Sequence, residues 1–179
     1  GAAFYRYDGD QKWTSCGVPD GKRVESLAVY NGDLYASGYD EGAVYRFDGT
    51  NWSQAGKVGE STQTYGFTVY EGDLYVSEWP HAEVYRYAGK NLWNLAGRLG
   101  EEKESMPLAV YNGAMYSGSL PLAEVYRYNG GVDWTNTGRL DLTPVYVIGV
   151  SGRWRFFKGD CLQAPYLPDV CTLSKRARA

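Results

Sequence analysis

A single histidine, His81, and three scattered cysteines, Cys16, Cys161 and Cys171, leave this chain poor in soft metal ligands. A zinc framework needs Cys or His residues at short, paired spacing, and no such pairing occurs. A lone loop histidine without a second ligand nearby reads as solvated. Charge is sparse as well: Lys, Arg, Asp and Glu make up 22% of the residues and the net charge is −3, so a nucleic-acid partner is not expected. No apolar run approaches the length of a bilayer span, so membrane insertion is not expected either. The N-terminus carries no charged-then-apolar leader, as a processed chain would not. Nucleophile elbow, phosphate loop and calcium-loop spacing are all missing, and no cofactor is implied.

Aromatic residues are plentiful. The 17 tyrosines and 6 tryptophans help to raise the aromatic share to 16% of 179 residues, a mix that suits β-rich surfaces and argues against disorder. The length fits one well-buried domain. One phrase recurs four times: Phe4-Tyr5-Arg6-Tyr7, Val44-Tyr45-Arg46-Phe47, Val84-Tyr85-Arg86-Tyr87 and Val125-Tyr126-Arg127-Tyr128. Its tyrosines at the second place fall 40, 40 and 41 positions apart. A period of about 40 residues with alternating apolar and polar letters marks the blades of a β-propeller.

One repeat shows the plan. Leu27 to Tyr30 is an apolar run for a buried inner strand, and Asn31-Gly32 supplies a tight type I′ turn. Asp33 to Ser37 and Val44 to Asp48 alternate as second and third strands, and Trp52 to Ala55 makes the fourth. The turn recurs at Glu71-Gly72 and Asn112-Gly113. Trp13, Trp52, Trp93 and Trp134 open the fourth strand, and Gly17, Gly56, Gly97 and Gly138 close it. The chain begins with the third and fourth strands of a blade. Tyr146 to Val150 and Arg153 to Phe157 read as the first and second strands that complete it. The expected fold is therefore all-β: a β-propeller, four-bladed, with one blade completed by both termini so that no sheet edge stays open. In this scheme residues 1–159 form a single domain, with blades 18–56, 57–97 and 98–138 and a composite blade of 139–159 plus 1–17. Residues 160–179 form an irregular tail. The competing arrangement is an arc of a larger ring.

Cys16 stands where other repeats carry Ala55, Ala96 and Thr137. It either fills a small buried slot or forms a disulfide with Cys161 or Cys171, the other pairing being Cys161–Cys171. The sequon Asn51-Trp52-Ser53, with these cysteines, leans toward an extracellular setting.

The phrase Leu27-Ala28-Val29-Tyr30-Asn31-Gly32-Asp33-Leu34-Tyr35, followed by Val44-Tyr45-Arg46-Phe47-Asp48 and Trp52, resembles the kelch repeat over about residues 4–157. The glycine pair that kelch repeats carry after the second strand is replaced here by Ser37-Gly38, Ser77-Glu78 and Ser117-Gly118. The resemblance implies a propeller used for protein recognition, with Arg6, Arg46, Arg86 and Arg127 in structural hydrogen bonds or ion pairs.

Strand direction separates two ends. Short Gly-based turns gather at one, while the longer second-to-third and blade-to-blade loops gather at the other and differ between blades. Binding residues concentrate in such loops. The candidate ligand-binding residues are Tyr39, Asp40 and Glu41, then Glu78, Trp79 and His81, then Leu120. Trp79 lies outside the repeated frame, either as an exposed anchor or packed under Pro80. Because these loops do not repeat, one composite site is expected. The expected function is a non-catalytic binding module, not an enzyme, that recognises a protein. The alternatives are a carbohydrate-binding lectin using loop aromatics, and a glycoside hydrolase or lyase on the same face.

Overall fold

A computed structural model describes residues 3–19, 23–39, 41–139, 147–150, 162–163 and 170–173. Backbone chemistry at the turns sets the architecture. Asn31 and Gly32 take φ values of 50° and 86°, Glu71 and Gly72 50° and 87°, and Asn112 and Gly113 46° and 73°. Two successive positive φ angles match the twist of the flanking strands, so each expected hairpin closes there.

The chain opens with β1 (Phe4–Gly9) paired to β2 (Lys12–Gly17). Blade 1 follows as β3 (Val24–Tyr30), β4 (Asp33–Gly38), β5 (Ala43–Phe47) and β6 (Trp52–Lys57). Blade 2 is β7 (Gln63–Tyr70), β8 (Asp73–Trp79), β9 (Glu83–Gly89) and β10 (Leu92–Arg98). Blade 3 is β11 (Glu104–Tyr111), β12 (Ala114–Leu120), β13 (Glu124–Gly130) and β14 (Asp133–Arg139). Each blade is an antiparallel meander in chain order. The fold is an all-β propeller. No helix among the described residues is long and apolar enough to cross a membrane.

The last sheet differs from the expected plan. β15 (Val147–Val150) forms where a first strand was expected and lies against β11, but it pairs with β17 (Val170–Leu173), which also pairs with β16 (Leu162–Gln163). Part of the segment expected to be an irregular tail is therefore strand. Among the described residues β1 pairs with β2 alone. The strand expected over 153–157, which would join the two termini, lies outside the described residues. Cys16 carries a free thiol, so its pairing with a tail cysteine is not formed. Cys161 and the side chain of Cys171 lie outside the described residues.

The core lies between blades. Val44, Ala55 and Val58 of the first blade's side meet Leu74, Val76 and Tyr85 of the second, and Val84 and Ala96 meet Leu108 and Met115 of the third. Three polar or aromatic stitches repeat across these seams. Trp52 Nε1 donates to the Cys16 carbonyl at 2.8 Å, Trp93 Nε1 to Ala55 at 2.9 Å and Trp134 Nε1 to Ala96 at 2.8 Å. Ser77 Oγ donates to the Met106 carbonyl at 2.6 Å, and Ser37 does the same to Tyr65. Edge-on tyrosines form the third stitch: Tyr30 and Tyr35 meet Tyr87 of the next blade, and Tyr70 and Tyr75 meet Tyr128. Two of the serines standing in place of the kelch glycine pair, Ser37 and Ser77, thus make blade-to-blade bonds, whereas Ser117 donates to the neighbouring Gly118 carbonyl.

The repeated arginines are structural too. Arg6 pairs with Asp8 at 2.7 Å, Arg46 with Asp33 at 3.6 Å and Arg86 with Asp73 at 3.2 Å, all at the surface. Exposed pairs of this kind contribute little to stability, because solvent screens them.

The seam tolerates no side chain at Gly97. Its φ is 110°, and a Cβ there would meet the Val132 carbonyl oxygen at 2.2 Å and the Trp134 ring at 2.7 Å. Trp13 occupies the same place in its hairpin but is 61% exposed. Trp93→Phe, which keeps the ring and loses the hydrogen bond, is expected to cost about 1–2 kcal/mol. Trp13→Phe is expected to cost nothing measurable. Urea midpoints at constant slope decide between these outcomes.

Candidate active site

The innermost strands β3, β7 and β11 begin side by side at the variable-loop end. Their equivalent starting positions hold Arg23, Gln63 and Glu104. A repeat that keeps its scaffold residues puts three different polar groups here, one cationic, one neutral and one acidic.

These groups are joined. The Arg23 guanidinium pairs with Glu25 and lies 4.6 Å from the centre of the Tyr39 ring. Tyr39 meets Tyr65 edge-on with ring centres 6.1 Å apart. The Tyr65 hydroxyl donates to Gln63 Oε1 at 2.8 Å. Burial pushes the Tyr65 phenol well above the usual tyrosine range, and the nearby Glu104 and Tyr39 charges push it further. Burial also raises the Glu104 carboxyl above its ordinary value, while its contact with the Tyr65 hydroxyl pulls it part of the way back. A carboxyl whose pKa is raised by burial, set beside a neutral phenol, is a stronger base when ionised than a solvated one and can exchange a proton with a bound group. Arg23 stands by as a fixed positive charge.

A second cluster lies farther out at the same end. Glu78, fully buried, receives the backbone N–H groups of His81 and Glu83 on Oε1 at 3.0 and 2.8 Å. Its carboxyl is pushed up by burial, and the Glu83 N–H gives the largest opposing pull. His81 Nδ1 lies 3.6 Å from the other oxygen, Oε2. Glu83 accepts the Tyr85 hydroxyl at 2.6 Å.

The candidate residues read from sequence scatter between these clusters and the core. Tyr39 belongs to the inner cluster, 38% exposed. Glu78 and His81 belong to the outer one, so His81 is not a freely solvated loop residue. Trp79 is half-buried and its carbonyl accepts the Thr62 N–H at 3.0 Å. Leu120 is a core residue at 8% exposure, not a contact for a ligand, and the exposed apolar residue of that loop is Leu122. Glu41 is exposed, and Asp40 lies outside the described residues. Sequence reasoning missed Arg23, Gln63, Tyr65 and Glu104. The available signal was the mismatch of one repeat position across three blades.

No family model matches the chain, and no curated protein matches it in sequence. Kelch identity is therefore not shown. Solved structures match strongly in shape. A virginiamycin B lyase from Staphylococcus aureus superposes with a TM-score of 0.71 at 12% identity, covering 97% of this chain and 59% of its own. A catalytically inactive histidine-to-alanine form of that enzyme, with quinupristin, matches with a TM-score of 0.64 at 15% identity, over 75% of this chain and 47% of its own. A protein put forward as a gluconolactonase gives 0.65 at 13% identity, covering 93% of this chain and 68% of its own. The extracellular domain of a one-component system from B. thetaiotaomicron gives 0.67 at 10% identity, over 98% of this chain and 25% of its own.

The shared property is the β-propeller fold. The chain spans less than two thirds of the length of the lyase it matches. The expectation of a non-catalytic, protein-recognising module is overturned by these likenesses, since propellers of this shape are named as a lyase and a gluconolactonase. Blade layout, the unlike loops and the lack of a recognisable catalytic motif had carried that expectation, and none of these separates scaffolds from enzymes.

The raised Glu104 carboxyl has a testable sign. A carboxyl whose folded pKa exceeds its unfolded value favours folding below the ordinary 4.5, and that contribution is lost as pH rises through the folded value. Relative to the parent, Glu104→Gln is expected to gain stability as pH is raised from about 4 to 7. Urea midpoints across that range measure it.

Proposed function

We propose that this propeller is catalytic and carries out acid–base cleavage of a carbon–oxygen bond in a small cyclic ester at its variable-loop end. Glu104 is the proton-transferring group, Arg23 balances the charge of the developing oxyanion, and Tyr65 turns its single O–H from Gln63 to that oxygen as it forms. The observation that carries this reading is the raised Glu104 carboxyl held against buried Tyr65, at the position where the repeat diverges. The likeness to a lyase and to a gluconolactonase supports it. A lyase removes a proton and expels a leaving group, and a lactonase adds water to a ring ester. Both need a base near neutral pH and a donor for an anionic oxygen.

Each group has a physical reason for its role. Glu104 loses hydration on burial, so its proton is held more tightly and its carboxylate is a stronger base when free. Gln63 orients the Tyr65 hydroxyl. Glu25 restrains Arg23, which also stacks on Tyr39, so the cation is placed before substrate arrives. An extracellular setting belongs to the proposal, supported by the exposed sequon residue Asn51 and by the likeness to an extracellular domain.

Turnover of a panel of lactones and cyclic depsipeptides, quinupristin and gluconolactone among them, tests the reading. Glu104→Gln is expected to lower kcat by about 10²–10⁴-fold while the folded β-sheet signal is kept. Absence of turnover across the panel, or full activity in that variant, would overturn it.

A further inference from the structure

Blades 2 and 3 solve one structural problem with the same two residue types in exchanged places. The turn after the second strand points two backbone N–H groups inward, those of His81 and Glu83 in blade 2 and of Leu122 and Glu124 in blade 3. In blade 2 a single carboxylate, Glu78, accepts both. In blade 3 the work is divided: Glu102 Oε2 accepts the Leu122 N–H at 3.1 Å, and Ser119 Oγ accepts the Glu124 N–H at 3.2 Å. Glu78 and Ser119 occupy the same repeat position, as do Ser61 and Glu102. One buried carboxylate serves each turn, supplied by the strand end in one blade and by the preceding loop in the other.

That structural duty uses only one oxygen of Glu78. Oε2 is buried without a hydrogen-bond partner, and the hydroxyl of Ser61, 2% exposed, likewise has none. A buried polar atom left this way is costly unless something else satisfies it. Oε2 is directed at His81 Nδ1, 3.6 Å away. Glu78, His81 and Glu83 each bring one ligand atom into a group whose members lie within 4.8 Å of one another. Blade 3 is the internal comparison: Glu102 is also buried and also keeps one oxygen, Oε1, without a partner, but Leu122 stands where His81 does and no imidazole completes the set.

We propose that Glu78, His81 and Glu83 bind a divalent zinc-type ion at the blade 2 turn. One imidazole and two carboxylates form a donor set that suits zinc, with a fourth position left for water, and the imidazole disfavours calcium and magnesium. Ser61, buried near the Glu78 carboxyl with its hydroxyl unpaired, would hydrogen-bond that water. The ion would neutralise a carboxylate that burial otherwise penalises and would tie the loop between β8 and β9 to the entrance of blade 2. The site is distinct from Glu104 and Tyr65 and does not rest on the acid–base reading.

Zinc titrated into the chelator-stripped full chain by calorimetry tests it. One saturable ion per chain is expected, with a zinc-dependent rise in melting temperature. His81→Leu, which imports the residue blade 3 already uses, is expected to weaken binding by more than about tenfold. Its melting temperature in excess chelator should match the parent's, and zinc should no longer raise it. Glu83→Gln provides a second variant with the same expected loss. Absence of saturable binding, or equal binding by the parent and both variants, would overturn the proposal. Neither result bears on Glu104, whose test is turnover.

Discussion

Each blade hangs on its predecessor through one indole. The tryptophan that opens a blade's outer strand donates its N–H to a carbonyl in the outer strand before it, at 2.8–2.9 Å, and at Trp93 and Trp134 the bond lies beside a glycine, Gly56 or Gly97, with no room for a side chain. The bond holds the outer edges, serine-to-carbonyl bonds hold the inner strands, and edge-on tyrosines fill the space near the tight turns. With the seams fixed in three places, the angle between blades is no longer free. That rigidity holds the strand starts at the other end, with Arg23, Gln63 and Glu104, in fixed relation to one another, as the proposed acid–base chemistry requires.

The tight-turn end is uniform because its backbone angles leave few choices, whereas the loop end varies because its burial problems admit several solutions. The exchange of Glu78 and Ser61 for Ser119 and Glu102 shows this directly. Two inward N–H groups must be satisfied in either blade, and a carboxylate reaching from either side will do so. Each buried carboxylate keeps one oxygen without a partner, Oε2 of Glu78 and Oε1 of Glu102, but the turn beside Glu78 carries His81 where the other carries Leu122. Functional divergence among repeats can begin from such a surplus.

Much of the fold was legible in the sequence because its causes are local. Asn-Gly and Glu-Gly turns impose positive φ, alternating letters impose strands, and a 40-residue beat sets the blade. The same logic explained Trp52, Trp93 and Trp134 as packing between sheets. The site was less legible. Leu120 looked like a loop residue and is core, because β12 runs on through it to the turn. His81 looked solitary because its partners, Glu78 and Glu83, are acids that sequence spacing alone does not identify as a cluster. Tyr65 and Glu104 belong to different blades, 39 residues apart, and only the adjacency of β7 and β11 brings them together.

By itself the sequence determined the repeat, the strand polarity and the end of the ring at which variation gathers, since these follow from turn chemistry and side-chain alternation within about ten residues. Tertiary structure decided which groups face each other across a seam and which of them lose water. Proton affinity depends on that loss, so the raised carboxyls of Glu104 and Glu78 exist only once the blades are packed.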